Sequence, residues 1–312
     1  DNSTADPNVV DILQVQGTAR SQEAVLNAYC ASSGARATVS PIGLQMPPTV
    51  EAEAIAVPLT PGGNGCVGQP SSNVTARYVV SEEVSVTANI IVLRLSLLSP
   101  GMPELGPDVD TVLLTVDMSY TDYLRITFDD AEAPRCFPTD VLQDHGPVLS
   151  LAPNPNYRVE FTSDPFSIQV RRPSGEVLFD TAAPPSSSWP NLVFKERYVE
   201  LTTALAANAN LYGLGERVGA FRVQPNHVYS MWNLDQGTPE GKNLYGVHPF
   251  YVDLRDGSAH GIFLLNSYGV EVAVTEESAT FKAMGGALDF FIFVGPEPET
   301  VVRQYQYWIG KP

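Results

Sequence analysis

Apolar and polar positions alternate with a two-residue period through most of this chain. In Tyr123-Leu124-Arg125-Ile126-Thr127-Phe128 the Leu, Ile and Phe fall on one side, and Tyr157-Arg158-Val159-Glu160-Phe161 repeats the period. Side chains on a strand point alternately to its two faces, so both segments read as half-buried strands. Phe166-Ser167-Ile168-Gln169-Val170 alternates too, and Pro173-Ser174-Gly175 turns it into Glu176-Val177-Leu178-Phe179, a hairpin. Residues 90–98 and 111–120 are rich in aliphatic side chains. Residues 248–254, the turn Arg255-Asp256-Gly257-Ser258 and residues 261–265 form a second hairpin, followed by strands at Val270–Val274 and 288–294.

Only two segments carry a helical period. One is short, residues 21–28. The other, roughly 297–309, places Val301, Val302, Tyr305, Trp308 and Ile309 on one face, and Gly310 then Pro312 stops it. About a dozen strands and little helix predict a mainly β protein, a large sandwich of antiparallel sheets. The division expected is an irregular N-terminal segment over 1–36, the sandwich over 37–296, and the helix over 297–312. Residues 58–76 also look irregular, and the Pro/Ser stretch over 183–188 reads as a surface loop within the sandwich.

Composition narrows the setting. The chain has 312 residues, with 24 glycines and 26 prolines that suit a turn-rich β protein. Its formal net charge of −17 repels phosphate, which argues against nucleic acid and anionic membrane as partners. No apolar run reaches the roughly 20 residues that span a bilayer, since Arg94 interrupts the longest candidate. A start at Asp1 without Met, and the acceptor sequences Asn2-Ser3-Thr4 and Asn73-Val74-Thr75, suit a secreted or vacuolar/lysosomal glycoprotein. Cys30 and Cys66 flank a turn-rich segment and can close a loop in an oxidising compartment, leaving Cys136 over. The four histidines show no metal-ligand spacing, so neither a metal nor another cofactor is expected.

The candidate chemistry lies in Met231-Trp232-Asn233-Leu234-Asp235, followed by residues 243–251. Asp235 and Trp232 sit in a polar, glycine-containing loop that leads into an aromatic strand. Carbohydrate sites combine an apolar face for the sugar with a carboxylate that accepts from its hydroxyls. The plainer reading has Trp232 filling the core and Asp235 capping a turn. Gly213-Leu214-Gly215-Glu216-Arg217-Val218-Gly219 has the wrong glycine spacing for a dinucleotide loop and reads as a tight turn with Glu216 and Arg217 in local ion pairing. Ser258 and His260 read as part of a solvated hairpin tip. Glycoside hydrolysis needs two carboxylates flanking the scissile bond, and no segment here is assignable to either role, so no catalytic residue is expected in this chain.

From about residue 157 onward the chain resembles the N-terminal, galactose mutarotase-like β-sandwich of glycoside hydrolase family 31, in particular its acid α-glucosidase and maltase-like members. The matching pieces are Val170-Arg171-Arg172, Leu211-Tyr212-Gly213-Leu214-Gly215-Glu216, and the stretch 231–251. Further pieces are His260-Gly261-Ile262-Phe263-Leu264-Leu265-Asn266-Ser267, Gly285-Gly286-Ala287-Leu288-Asp289, and Phe293-Val294-Gly295-Pro296-Glu297-Pro298 with its helix. Several motifs in one order carry the resemblance; over residues 1–120 it is weak. It implies a retaining α-glucosidase acting on terminal α-1,4-linked glucose of maltose, malto-oligosaccharides or starch. The nucleophile and acid/base would lie in a (β/α)₈ barrel beyond Pro312, and the chain alone would be inactive. Asp235 matches the loop aspartate that bonds sugar hydroxyls at the pocket entrance, and Trp232 the adjacent aromatic. The chain would then be the N-terminal product of a precursor cut before the barrel and still bound to it, or a truncated form. An exposed apolar stripe on the last helix would favour the bound partner. The alternatives are a stand-alone carbohydrate-binding sandwich, or a family 31 α-xylosidase or transglucosylase.

Overall fold

The computed structural model describes residues 77–135 apart from 88, residue 142, residues 155–182, and residues 191–311 apart from 234, 236, 238 and 239. The expectations for the helix over 21–28, for Cys30, Cys66 and Cys136, for the acceptors Asn2 and Asn73, and for the loop over 183–188 lie outside the described residues. So do the N-terminal 1–36 segment and residues 58–76.

The chain opens with four strands, β1 (Arg77–Val86), β2 (Ile90–Ser99), β3 (Thr111–Asp117) and β4 (Tyr123–Asp130). Then come β5 (Arg158–Ser163), β6 (Phe166–Arg171), β7 (Val177–Asp180), β8 (Leu192–Phe194), β9 (Val199–Ala204), β10 (Leu211–Gly213) and β11 (His227–Met231). After a long connection follow β12 (Phe250–Arg255), β13 (Ser258–Leu264), β14 (Val270–Val274), β15 (Ser278–Ala283), β16 (Leu288–Phe293) and the helix α1 (Pro298–Ile309). They build an eight-stranded sheet in the order β1-β2-β3-β4-β16-β13-β12-β10, a five-stranded sheet β11-β14-β15-β9-β8, and a three-stranded sheet β5-β6-β7. Every ladder among them is antiparallel. The predicted sandwich is therefore present, and no described helix is long and apolar enough to cross a membrane.

One core joins the three sheets. Phe290 of the eight-stranded sheet meets Phe179 of the three-stranded sheet at 5.6 Å and Phe281 of the five-stranded sheet at 5.1 Å between ring centroids. Leu124, Ile126 and Phe128 on β4 turn into this core, as do Leu288, Phe290 and Ile292 on β16. Burying each such side chain contributes about 1.5–3 kcal/mol, which makes this inner face the main source of cohesion. The hairpin β12–β13 turns through Asp256 (φ 47°) and Gly257 (φ 85°), two successive left-handed residues that match the strand twist. Because the turn is only those two residues, His260 belongs to β13 and is buried beside Ala259. The solvated tip expected there is corrected: strand pairing starts at Ser258.

The opposite face of the eight-stranded sheet is also covered. Tyr123, Phe263, Phe291, Phe293 and Val301 form a second apolar cluster, with Tyr305, Trp308 and Ile309 packed onto it. Tyr305 stacks on Phe250 at 4.4 Å and 7°, and Trp308 meets Phe291 at 5.2 Å. Gly261 lets the helix come this close, since a Cβ there would stand 2.5 Å from Val301 Cγ1. The helix begins at Glu297 with Pro298 in its first turn and ends at Gly310 (φ 85°), close to the predicted bounds. Its apolar stripe is not exposed, contrary to expectation. Val301, Tyr305, Trp308 and Ile309 are spent on the chain's own sheet, and only Val302 (39 % exposed) and Tyr307 (45 %) remain at the surface. The stripe thus gives no support for a bound partner.

Candidate functional site

The connection from β11 to β12 leaves the edge strand of the five-stranded sheet and enters the eight-stranded one. Its returning leg, residues 241–248, is laced to the segment after β10. Glu216 N–H donates to Gly246 O at 2.9 Å, His248 N–H to Gly215 O at 2.9 Å, Leu244 N–H to Glu216 O at 2.9 Å, and Gly241 N–H to Val218 O at 2.7 Å. The Glu216 carboxylate accepts from Gly246 N–H at 3.0 Å. Arg217 bonds three carbonyls, and neither it nor Glu216 takes part in a salt bridge among the described residues. The local ion pairing expected of Glu216 and Arg217 is therefore corrected: each side chain holds backbone instead.

The loop root is ordered by side chains as well. Asn243 is buried, and its amide faces Asn233 Oδ1 (3.2 Å), Leu244 O (3.1 Å) and Gly246 O (3.3 Å), tying the outgoing leg to the returning one. Trp232 lies half-buried over the start of β14: a Cβ on Gly269 would fall 2.5 Å from its Cζ3, so the glycine makes room for the indole. This places Trp232 as a packed wall at the foot of the loop. Asp235 stands exposed further out, and its Oδ1 accepts from the Tyr245 hydroxyl at 2.6 Å. That bond and the charge of Asp235 raise the Tyr245 pKa above its ordinary value. The structure thus joins Asp235 to Tyr245, while Trp232 serves the root. Sequence reasoning did not single out Tyr245, whose only signal was an aromatic side chain in the same polar loop, ten positions on.

The geometry here offers hydrogen bonding. One carboxylate oxygen of Asp235 is held by a phenol and the carboxylate remains open to solvent, a suitable acceptor for hydroxyl groups. Among the described residues three carboxylates are buried, and each is already engaged. Asp253 pairs with Arg255 at 2.6 Å. Asp289 accepts from Arg125 at 2.8 and 2.7 Å and from Thr127 at 3.1 Å. Glu200 accepts from the Tyr198 hydroxyl. Burial pushes the Asp289 and Glu200 pKa values up. No group of three or more His, Cys, Asp or Glu suited to a metal occurs among the described residues.

Comparison with known proteins places this fold. The family model described as the glycosyl hydrolase 31 N-terminal galactose mutarotase-like domain matches residues 114–272. The chain belongs to glycoside hydrolase family 31. A probable α-glucosidase of Oryza sativa subsp. japonica is 41 % identical over 257 residues, which cover 73 % of this chain and 28 % of that protein. The lysosomal α-glucosidase of Mus musculus is 37 % identical over 235 residues, 74 % of this chain and 23 % of its own length. The α-xylosidase 1 of Arabidopsis thaliana is 34 % identical over 231 residues, 66 % of this chain and 24 % of its own. Among solved structures, a family 31 dextranase of Flavobacterium johnsoniae complexed with isomaltotriose shares the fold at a TM-score of 0.59 and 19 % identity, over 76 % of this chain and 29 % of that one. The chain therefore spans less than a third of the length of each of these proteins.

Proposed function

We infer that this chain is the non-catalytic N-terminal part of a retaining α-glucosidase acting on terminal α-1,4-linked glucose of maltose, malto-oligosaccharides or starch. The observation that carries this is the exposed Asp235 carboxylate, fixed by Tyr245 at the end of a loop whose root is tied down by Asn243, Arg217 and Trp232. Held in one orientation, it forms a wall of the substrate pocket and accepts from a sugar hydroxyl. The hydrolytic carboxylates belong to the rest of the polypeptide, and this segment alone is inactive. It folds in the secretory route, on the strength of the acceptors Asn2 and Asn73 and the pair Cys30 and Cys66.

The decisive measurement is kcat/KM on maltose for Asp235→Ala in the full-length enzyme. Losing a hydrogen bond to a charged group removes about 1.5–3 kcal/mol of transition-state binding, which is about a 10- to 150-fold loss. An unchanged kcat/KM sinks the assignment. The similarity to an α-xylosidase supports a second reading, an enzyme of the same family that removes xylose. Comparing rates on 4-nitrophenyl α-glucoside and α-xyloside separates the two.

A further inference from the structure

Arg217 spends a half-buried guanidinium entirely on main-chain oxygen. Its Nε donates to Leu214 O at 2.9 Å, Nη1 to Gly241 O at 3.1 Å, and Nη2 to Ser230 O at 3.0 Å, and its Cζ lies 4.9 Å from the Tyr229 ring centroid. Burial lowers its pKa, so the group gives up hydration that a surface arginine keeps. The three acceptors belong to three separate stretches. Leu214 follows β10, Ser230 is the penultimate residue of β11, and Gly241 opens the returning leg of the loop. One planar fork therefore fixes both ends of the connection that carries Asp235, which a point donor on a flexible stem cannot do.

We propose that Arg217 is a positioning residue for substrate, setting through both loop legs where the Asp235 carboxylate stands in the pocket. This rests on the reading of Asp235 as a pocket wall. The backbone supports the same geometry, since Arg217 itself bridges to Asn243 and Val218 to Glu240, so the guanidinium sits at the crossing of the two legs. Asp235 lies five residues beyond Ser230 and six before Gly241, so both anchors are close to it along the chain.

The test uses the full-length enzyme with Arg217→Lys, Arg217→Gln, Asp235→Ala and the Arg217→Lys/Asp235→Ala pair. With Arg217→Lys, kcat/KM on maltose should fall about tenfold through KM, with kcat held within about twofold and Tm within about 4 °C. Arg217→Gln should be at least as impaired. The double variant should be no worse than Asp235→Ala alone, because the contact that Arg217 positions is already gone. Amide exchange at Gly241 and Gly246 should accelerate in Arg217→Lys. The proposal is overturned by losses that multiply in the double variant, by a fall confined to kcat, or by unchanged exchange at both amides. If Asp235→Ala leaves kcat/KM intact, the pocket-wall reading fails on its own, and exchange still decides whether Arg217 holds the loop.

Discussion

Adding a single methyl group at Gly261 should loosen the helix from the sheet. In the parent the position faces α1, where a Cβ would meet Val301 Cγ1 at 2.5 Å and Phe250 Cε2 at 3.0 Å. Val301 is wholly buried and Phe250 is clamped by Tyr305, so neither can swing aside. Overpacking a filled core costs about 1–3 kcal/mol, and replacing glycine by alanine recovers about 0.4–1 kcal/mol through the unfolded chain. The expected net loss for Gly261→Ala is about 1–2 kcal/mol, a fall in Tm of about 2–8 °C for a domain of this size. Val301→Ala, which leaves a cavity, should lose about 1–3 kcal/mol by itself. In the double variant the new methyl moves into the vacated space, and the combined loss should fall short of the sum by more than about 0.5 kcal/mol. Urea denaturation of the four proteins, followed by circular dichroism, measures this. A Gly261→Ala protein as stable as the parent, or strictly additive losses, refutes the close approach of helix and sheet.

Two further outcomes follow from buried charge. Asp289→Asn removes the carboxylate that two Arg125 nitrogens grip, leaving a guanidinium over Phe291 without its counter-charge. Stability should drop by about 2–4 kcal/mol in chemical denaturation, and a change under about 1 kcal/mol contradicts the pairing. His260 is held neutral by burial first and by the positive charges of Arg255 and Arg172 next, so its pKa lies well below the ordinary value. The unfolded chain takes up a proton below about pH 6.5 that the folded chain refuses, so this residue erodes stability as pH falls, by about 1.4 kcal/mol per unit. His260→Leu should flatten that slope between pH 7 and 5, and an unchanged slope rules the histidine out as its source.

The strands were legible where one face was wet. Residues 123–128 and 157–161 alternate because one side of each turns to the core, and β4 and β5 appear there. The three-residue strands β8 and β10 are too short to show a period, and β1 is masked by Ser81, Glu82 and Glu83 on an exposed edge. Residues 288–293 carried an unread signal: an almost unbroken apolar run marks a strand covered on both faces, which foretold that the helix would pack there. In the site, Asp235 and Trp232 could be picked out by residue type and order. Arg217 could not, because its partners are carbonyl oxygens, which every residue possesses and no pattern announces. His260 was misplaced for a simpler reason: residues 255–260 were left outside the strands, whereas the turn is only Asp256 and Gly257.

The pairing of β4 with β16 bears on how the protein is made. Arg125 and Asp289 stand 164 positions apart, yet their strands are neighbours at the centre of the largest sheet. During synthesis β4 must wait, one edge open, until β16 has followed it out of the ribosome. Closure over such a separation is slow, and the waiting intermediate is prone to aggregate. A polypeptide cut short before Leu288 would split the eight strands into two groups, with β4 and β13 each offering a bare hydrogen-bonding edge to any stray strand. Nascent fragments of this protein should therefore burden the quality-control machinery out of proportion to their length.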